Sequence, residues 1–314
     1  MLRYAIRRIV FFVPVLFITS LITFFAINLV PVDPAIIFLG QEALPEQIEA
    51  FNNIHGLNTL IVQRYFEWLG GIMQGDPGTS FLGGVSIQDE FKARFPVSFM
   101  IMFFASVFTI TFGVLFGVLA AVFQDTPTDY VVRTFSVFGQ SVPDFYVLTL
   151  LLIIPAILWN YAPPFGWVPF WEDPWRALRQ VIPPTLILSV GGSALLMRLV
   201  RSSLLEVLRQ DYLRTARAKG LAERVVIIRH AMRNALIPVL TVAGGLIGGL
   251  LGGAIILERV TSLPGLGQYT LTAIQQQDHN VVMAVTTYAV FLVVTANLVV
   301  DLLYGVVDPR IRYS

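Results

Sequence analysis

Long apolar segments separated by short polar ones dominate the chain. Six of them approach the roughly 20 residues that a helix needs to cross a bilayer core about 30 Å thick. They are residues 9–30, 97–123, 135–158, 183–200, 235–257 and 283–304. The fourth is the least clear, because it is short and opens on Pro183 and Pro184. The pattern predicts an all-α membrane protein with six transmembrane helices.

The first apolar segment has a competing interpretation as a signal peptide, because Arg3, Arg7 and Arg8 precede it. A signal peptide has an apolar region of about 7 to 15 residues, followed by a small-residue cleavage site. The stretch from Ile9 to Val30 is longer and continues into VPVDP, without an obvious site of that kind. We therefore expect a membrane span.

The basic residues predict the orientation of the chain. If the N-terminus lies inside, fifteen of the 21 Lys and Arg residues fall in inside segments. Basic residues are retained on the cytoplasmic side of short loops, so both termini are predicted to be cytoplasmic. The expected order is a cytoplasmic N-terminus, a first span, an extracytoplasmic segment with short helices, a core of five spans containing a cytoplasmic loop, and a cytoplasmic C-terminus. These parts are residues 1–8, 9–30, 31–96, 97–304 with the loop at 201–234, and 305–314.

Two short helices are expected in the extracytoplasmic segment. Pro45 suits the first turn of one, and Gly56 suits its end. The other is expected beyond Asn58, where Tyr65 and Trp68 lie at helical spacing. A helix that only seals the outer membrane surface is an open alternative, because Trp and Tyr favour the interface.

The amino-acid composition also indicates that most of the chain is surrounded by lipid. Hydrophobic residues make up 56% of the chain and charged residues 13%, far from soluble proportions. With no cysteine and three widely separated histidines, disulfides and a metal site are not expected. No catalytic residues are predicted, because no nucleophile and base or pair of carboxylates is visible near a membrane surface.

The sequence lacks a recognisable energy source of its own. A phosphate-binding P-loop requires GxxxxGK[ST], and neither Lys92 nor Lys219 follows that glycine pattern. Ion-coupled carriers tend to bury several carboxylates in their spans, where each charge costs about 3 kcal/mol or more. Here only Asp144 lies well inside a predicted span. Transport by this chain would therefore need a separate energising partner.

The fifth span contains GGLIGGLLGG, which places Gly244, Gly248 and Gly252 on one stripe of a helix. Small residues at every fourth position let helix backbones approach closely in a membrane. We expect this face to pack on another helix. The spacing leaves open whether that helix belongs to this chain or to a second subunit.

The predicted cytoplasmic loop carries short-helix signals. Asp211 suits the N-cap of a helix over Tyr212–Lys219, because its carboxylate can accept from the free N–H groups of the first turn. Gly220 can then adopt the left-handed conformation, with Leu221 in position for a Schellman stop. A second amphipathic helix is expected next, with three apolar residues on one face: Val225, Ile228 and Met232.

Two interpretations of this loop stay open. Its positive charge favours contact with anionic lipid headgroups. Thr215, Ala216 and Ala218 would give the first helix a small exposed surface, whereas a lipid-facing helix presents bulky apolar residues. Small residues suit insertion into a protein cleft, so the residues favour docking on a partner protein.

Several longer motifs follow one another along almost the whole chain: LRYAIRRI, GDPGTSF, SVPDF, DYLRTARAKGL, RHAMRNALIP, SLPGLG and VDPRI. In this order they resemble the permease subunits of ATP-binding-cassette importers, in the dipeptide and oligopeptide branch that also includes nickel and glutathione systems. The resemblance implies a type I importer permease fold in the cytoplasmic (inner) membrane of a prokaryote. It also implies that the basic loop is the coupling helix that docks on a cytoplasmic ATPase.

The family motif of this loop reads EAA, three residues, then Gly. Arg214, Thr215, Ala216 and Gly220 occupy those positions, so Arg214 stands where the family has glutamate. The helix and the glycine turn are retained, whereas an ion pair from that glutamate is in doubt. The ATPase-docking residues implied by the resemblance are Asp211, Tyr212, Arg214, Thr215, Ala216, Lys219, Gly220 and Leu221.

The resemblance further implies a heteromer in the lipid bilayer. Its expected partners are a second, similar permease, two cytoplasmic ATPase domains and an extracytoplasmic solute-binding protein, with no nucleic acid. ATP and Mg²⁺ would bind to the ATPase partners, and no cofactor is expected in this chain. Di- or oligopeptides are the expected cargo, with nickel, glutathione or oligosaccharide as alternatives. A membrane scaffold or enzyme subunit with a lipid-binding loop is the alternative from another class.

Candidate substrate contacts lie near a proline of the third span. Pro143 can kink the helix and free backbone carbonyls beside Ser141 and Asp144. Two roles are open for Asp144: contact with a peptide ammonium group, or a buried structural pairing with a donor from the neighbouring permease. Asn297 in the sixth span is a further candidate for the substrate path.

Overall fold

The computed structural model describes residues 2–29, 34–40, 42–161 and 166–307. Helices dominate these residues, and Thr79 and Ser86 form an isolated β-bridge. The helices are α1 (Leu2–Asn28), α2 (Pro34–Leu39), α3 (Pro45–Ile54), α4 (Ile61–Gln74), α5 (Ile87–Val122), α6 (Pro127–Ser141), α7 (Asp144–Trp159), α8 (Pro174–Leu208), α9 (Asp211–Ala218), α10 (Glu223–Val225), α11 (Met232–Thr261), α12 (Leu266–Gln275) and α13 (His279–Val307). A π-helical turn, Val226–Ala231, joins α10 to α11.

The predicted all-α membrane architecture is confirmed. Among the described residues, five helices are long and apolar enough to cross a membrane, and α6 with α7 makes a sixth if this bent pair counts as one span. Several helices exceed the predicted spans, since α5 and α8 contain 36 and 35 residues. At 1.5 Å per residue they are about 50 Å long, more than the roughly 30 Å apolar core of a bilayer. The predicted cytoplasmic C-terminus lies outside the described residues from position 308 onward.

Helix α8 explains why the fourth span gave the weakest signal. It begins at Pro174, where the Asp173 carboxylate accepts the Arg176 N–H at 3.0 Å, so Pro183 and Pro184 lie inside the helix and do not open it. Its most apolar window has the lowest hydropathy of the five long spans, 1.5, and half of that window is buried. A helix that packs mainly on protein needs fewer strongly apolar residues than one that faces lipid.

The chain divides into two compact units. The large unit contains Phe99–Leu263 with the described parts of residues 1–8 and 295–314, and the small unit contains Ile9–Ser98 and Pro264–Val294. In the large unit, α8 packs against α6 and α11. In the small unit, α4 packs against α1 and α13 through a cluster around Tyr65.

The short helices of the small unit agree with the predictions for residues 31–96. Pro45 begins α3, and α4 follows Asn58 as expected. Tyr65 of α4 is 2% exposed, its ring centroid lies 5.4 Å from that of Phe24, and its hydroxyl is hydrogen-bonded to Ser20 at 2.9 Å. Helix α4 therefore contributes a packed face to this unit.

Close packing of α5 on α8 in the large unit depends on glycine. A Cβ atom at Gly117 would lie 2.7 Å from the Cβ of Val200 and 2.8 Å from the carbonyl oxygen of Met197. The backbone oxygen cannot move away without displacing α8. We therefore expect position 117 to exclude every larger residue.

The Gly117→Ala variant should unfold at a lower temperature than the parent chain in detergent, because overpacking costs about 1–3 kcal/mol. Gly245→Ala is the matched control, since a Cβ there meets no atom of the described residues within 4 Å. Alanine is also the better helix former, by about 1 kcal/mol, so the control should be neutral or slightly stabilising. Equal unfolding temperatures for the two variants would contradict the packing argument.

The glycines of the predicted stripe on α11 do not all pack against the same helix. A Cβ at Gly244 would lie 2.9 Å from Cγ1 of Val300 on α13, whereas a Cβ at Gly252 would meet no atom within 4 Å in the part of the chain that the structure describes. Gly248 is half-buried. Beside the stripe, a Cβ at Gly253 would lie 2.5 Å from Cδ1 of Leu188 on α8. Packing within the chain thus accounts for Gly244, and a role for Gly252 against a second subunit stays a prediction.

Candidate functional site

The connection between α8 and α10 is shorter than the predicted loop. Helix α8 continues to Leu208 and helical structure resumes at Glu223, so the connection comprises residues 209–222 and not 201–234. The basic residues that marked a loop in the sequence lie partly on these helical extensions. Long helices that continue past the apolar core carry polar residues on their ends, and hydropathy alone does not distinguish such ends from a loop.

Helix α9 begins one residue earlier than predicted. Asp211 is its first residue, and the N-cap position belongs to Gln210, which makes no side-chain capping hydrogen bond. The predicted Asp211 cap is therefore wrong. Its carboxylate lies 3.4 Å from the guanidinium of Arg214, and both side chains are largely exposed. Such a pair contributes little, because water screens it.

The predicted Schellman stop of α9 is confirmed. Gly220 has φ +77°, in the left-handed region that glycine adopts without steric cost. Its N–H donates to the Arg217 carbonyl at 2.9 Å, and the Leu221 N–H donates to the Ala216 carbonyl at 3.4 Å. These are the two hydrogen bonds of the motif, and they fix where α9 ends.

One face of α9 is anchored in the large unit. Leu213 is fully buried and Ala216 is 9% exposed. They share an apolar cluster with residues of α5, α8, the π-helical turn and α11: Ala121, Leu204, Val226, Ala231 and Ala235. Ala216, expected on the outer surface, therefore faces inward, whereas Thr215 and Ala218 are exposed as predicted.

The apolar face of the second predicted helix is wrong for two of its three residues, whereas the third, Met232, packs against the cluster of α9 as expected. Val225 and Ile228 are 38% and 56% exposed, whereas Val226 and Ala231 are fully buried. The cause is the π-helical turn, in which residues five apart align. A face chosen at α-helical spacing therefore rotates away from the core within this turn.

Polar contacts tie α9 to the helices on both sides. Nη2 of Arg217 lies 2.8 Å from Oε1 of Glu223, and Nη1 donates to the Leu208 carbonyl at 3.5 Å. Hydrogen bonding to Glu223 raises the pKa of Arg217. The amide of Asn234 donates to the Tyr212 hydroxyl at 2.8 Å. Helix α9 and the adjoining ends of α8 and α11 form one connected assembly, which we call the α9 unit.

Sequence reasoning missed a buried ion pair close to the α9 unit. Nε and Nη2 of Arg201 donate to the two carboxylate oxygens of Asp129 at 2.6 and 2.7 Å, and Asp129 is fully buried. In the sequence, Asp129 stands among polar residues between two spans, where a carboxylate is usually solvated. A partner 72 residues away in the chain left no local signal.

The predicted kink at Pro143 is confirmed as a complete break. Helices α6 and α7 meet at an angle of 92°, and Pro143 occupies the N-cap of α7. Asp144 is the first residue of α7. Its side chain borders a cavity of about 100 Å³, together with Leu188 of α8 and Gly253 of α11.

The Asp144 carboxylate is half-buried at this break. Its two oxygens lie next to Gly191 of α8, where a Cβ would be 3.6 and 3.8 Å from them, at ordinary van der Waals distance. None of the ion pairs among the described residues includes Asp144. The site thus presents a carboxylate to a small cavity with no cation of the described chain on it.

The other two predicted substrate contacts, Ser141 and Asn297, do not border this cavity. Ser141 lies across the break from Asp144 and is exposed, with its hydroxyl donating to the Val137 carbonyl at 2.8 Å. Asn297 is exposed on α13 and does not border the cavity of Asp144. The structure therefore brings Ser141 and Asp144 to one break and leaves Asn297 elsewhere.

Comparison with known proteins places these features in a family. Residues 113–313 match the family described as binding-protein-dependent transport system inner membrane component, and residues 1–101 match its N-terminal part. A Brucella abortus (strain 2308) protein named for a peptide transport system permease is 37% identical, over 98% of each chain. Dipeptide transport system permease protein DppB of Escherichia coli (strain K12) and glutathione transport system permease protein GsiC of E. coli O6:H1 are 35% and 34% identical, over 100% of each chain. The chain therefore belongs to the inner-membrane components of binding-protein-dependent transport systems, the permease subunits of ATP-binding-cassette importers.

Proposed function

We propose that this multi-pass inner-membrane permease forms, with a second similar permease, the path by which an importer moves di- or oligopeptides. Relatives named for peptide and dipeptide transport support this cargo. The relative named for glutathione transport supports glutathione, itself a small peptide, as the second candidate. A solute-binding protein would deliver the peptide, and two cytoplasmic ATPase domains would bind ATP and Mg²⁺.

The observation that carries the proposal is the two-faced character of α9. Its inner face is anchored through Leu213 and Ala216, while Tyr212, Thr215 and Ala218 remain exposed. A short helix held in this way offers a defined outer surface to a partner. We assign docking on the ATPase to this surface, with Arg214, Lys219 and Leu221 at its edge, on the basis of the anchored inner face and the family.

The contacts of the α9 unit would also transmit movement of the ATPase domains to the membrane helices. When the ATPase domains close around ATP, they would displace α9. Because Leu213 packs with Leu204 and Val226, the displacement would pass as a rigid-body movement into α8 and α11. The same two helices carry Leu188 and Gly253, which border the cavity of Asp144. Closing of the ATPases would thereby change the surroundings of the proposed substrate contact.

The proposed role of Asp144 follows from its chemistry. A carboxylate beside a cavity, with no cation of the described chain on it, suits the ammonium group of a peptide. Hydrogen bonds to charged groups contribute about 1.5–3 kcal/mol, enough to favour a free N-terminus. The neighbouring break frees backbone groups that would otherwise be held within a helix, and these suit the peptide backbone.

Reconstitution of the whole importer tests the function. The chain, its second permease, the two ATPase domains and the binding protein are co-expressed from the native operon and placed in lipid nanodiscs. We expect peptide-loaded binding protein to raise ATP hydrolysis about tenfold, within the usual range of coupling between sites. Binding protein without peptide is the control, and glutathione, a nickel chelate and an oligosaccharide are compared with di- and tripeptides.

Two results would contradict the proposal. If no ATPase subunit is recovered with the tagged chain in mild detergent, the importer assembly is wrong. If an oligosaccharide or a nickel chelate stimulates hydrolysis and peptides do not, the peptide cargo is wrong.

A further inference from the structure

The buried pair of Asp129 and Arg201 joins α6 to α8 within the large unit. The two side chains are held by two parallel hydrogen bonds, and the backbone N–H of Asp125 donates to Oδ2 of Asp129 at 3.1 Å. Asp129 is fully buried, and the Arg201 side chain is 20% exposed. Both carboxylate oxygens are therefore satisfied, and the geometry of the pair is closely defined.

Stability alone does not account for such a pair. Removing two charges from water costs about as much as their attraction returns, and replacing both partners with apolar residues is often neutral. The two parallel hydrogen bonds do impose one relative position on the two helices. Apolar contacts such as that of Gly139 with Val190 bring α6 close to α8, and the ion pair adds a directional constraint to this packing.

At one end of α6, the pair lies next to the α9 unit. Arg201 stands one helical turn before Leu204, which packs with Leu213 and Ala216. Ala121, near the end of α5, belongs to the same cluster. The turn from α5 into α6 includes Asp125 at φ +60°, and its N–H is the one that Asp129 accepts.

At its other end, α6 stops at the break before Asp144. Asp129 lies in the first turn of α6, and Ser141 is its last residue. The helix between them is about 18 Å long at 1.5 Å per residue. A straight helix held at one end by Asp129 therefore extends from the α9 unit to the proposed substrate contact.

We infer that Asp129 and Arg201 are positioning residues that carry the movement of α9 through α6 to the break before Asp144. The inference rests on the proposed function, because it assigns to α6 part of the coupling between ATP hydrolysis and transport. Without the pair, α8 still moves with α9, but α6 no longer moves together with α8.

The double variant Asp129→Leu/Arg201→Met tests this role, because removing both charges leaves no unpaired charge in the interior. The complete importer is reconstituted in proteoliposomes, and ATP hydrolysis, peptide uptake and thermal unfolding are measured. We expect assembly, unfolding temperature and hydrolysis without binding protein to stay at wild-type levels. Uptake per ATP hydrolysed should fall about tenfold, a typical coupling effect.

Arg133→Met is the matched control on the same helix. Its guanidinium lies 5.7 Å from the ring of Tyr130 on the same helix. It acts on Asp129 through its charge and not through a hydrogen bond, so the variant removes a nearby charge and keeps the pair. Uptake per ATP should be unchanged in this variant. If the double variant keeps wild-type uptake per ATP, or loses uptake and hydrolysis together with its unfolding temperature, the positioning role is wrong.

A covalent link provides the rescue experiment. The chain contains no cysteine, so Asp129→Cys/Arg201→Cys introduces the two thiols of this subunit. A short, reducible cross-linker between them should restore uptake per ATP, and dithiothreitol should abolish it again. A linked protein that stays uncoupled would overturn the inference. If wild-type importer itself shows no peptide-stimulated hydrolysis, the proposed function fails, which separates the two outcomes.

Discussion

The Gly220→Val variant is expected to lower peptide uptake about 100-fold while ATP hydrolysis by the partner subunits continues. Gly220 has φ +77°, and a β-branched residue there costs about 1–3 kcal/mol. Packing is not the obstacle, since a Cβ at this position meets no atom within 4 Å among the residues that the structure describes. The chain relieves the strain by opening the turn, which breaks the hydrogen bonds from Gly220 to Arg217 and from Leu221 to Ala216. Helix α9 then loses its fixed end.

Gly220→Asn is the matched control for this variant. Asparagine tolerates the left-handed region better than other residues with a side chain, so uptake should stay near that of the parent. Uptake into proteoliposomes and ATP hydrolysis are measured on the same samples, which separates loss of coupling from loss of assembly. Unchanged uptake per ATP in the valine variant would show that the turn has no part in coupling.

The Asp144→Asn variant is expected to lower uptake of peptides with a free N-terminus by tenfold to 100-fold, the effect of about 1.5–3 kcal/mol from a hydrogen bond to a charged group. The amide keeps the shape of the carboxylate, so the cavity shared with Leu188 and Gly253 is preserved. N-acetylated peptides lack the ammonium group and should be affected much less. Competition between the two peptides in one uptake assay measures the difference directly.

Ser141→Ala is the control on the other side of the break. The Ser141 hydroxyl donates to a carbonyl of its own helix, so its removal should leave the peptide preference unchanged. Equal losses for free and acetylated peptides in the Asp144 variant would exclude the ammonium contact. They would favour the alternative in which Asp144 pairs with a donor of the neighbouring permease.

Local sequence signals identified features that depend on neighbouring residues. The Schellman stop at Gly220, the start of α3 at Pro45 and the break at Pro143 each follow from the backbone preferences of one or two residues. The cap assigned to Asp211 was wrong by one position, because Asp211 is already helical and Gln210 occupies the N-cap. Local sequence places a helix end only to within one or two residues. Here the burial of Leu213 fixes the orientation of α9.

Features that depend on contacts between residues far apart in the chain were not predicted from the sequence. Asp129 and Arg201 form a pair only after α6 has packed on α8, so neither residue stands out in the sequence. The π-helical turn at Val226–Ala231 likewise packs Val226 and Ala231 against Leu204 and Leu213, while Ile228 lies outside the core. Both are consequences of helix packing.

The sequence by itself determined the all-α membrane class, the approximate positions of the spans and the family, because hydropathy, helix ends and motifs are properties of contiguous residues. The tertiary structure decided which face of α9 is anchored, that Asp144 borders a cavity formed with α8 and α11, and that a buried ion pair joins α6 to α8. The physical reason is the same in each case. Burial and ion pairing depend on distances between helices, and the pattern of one helix does not contain those distances.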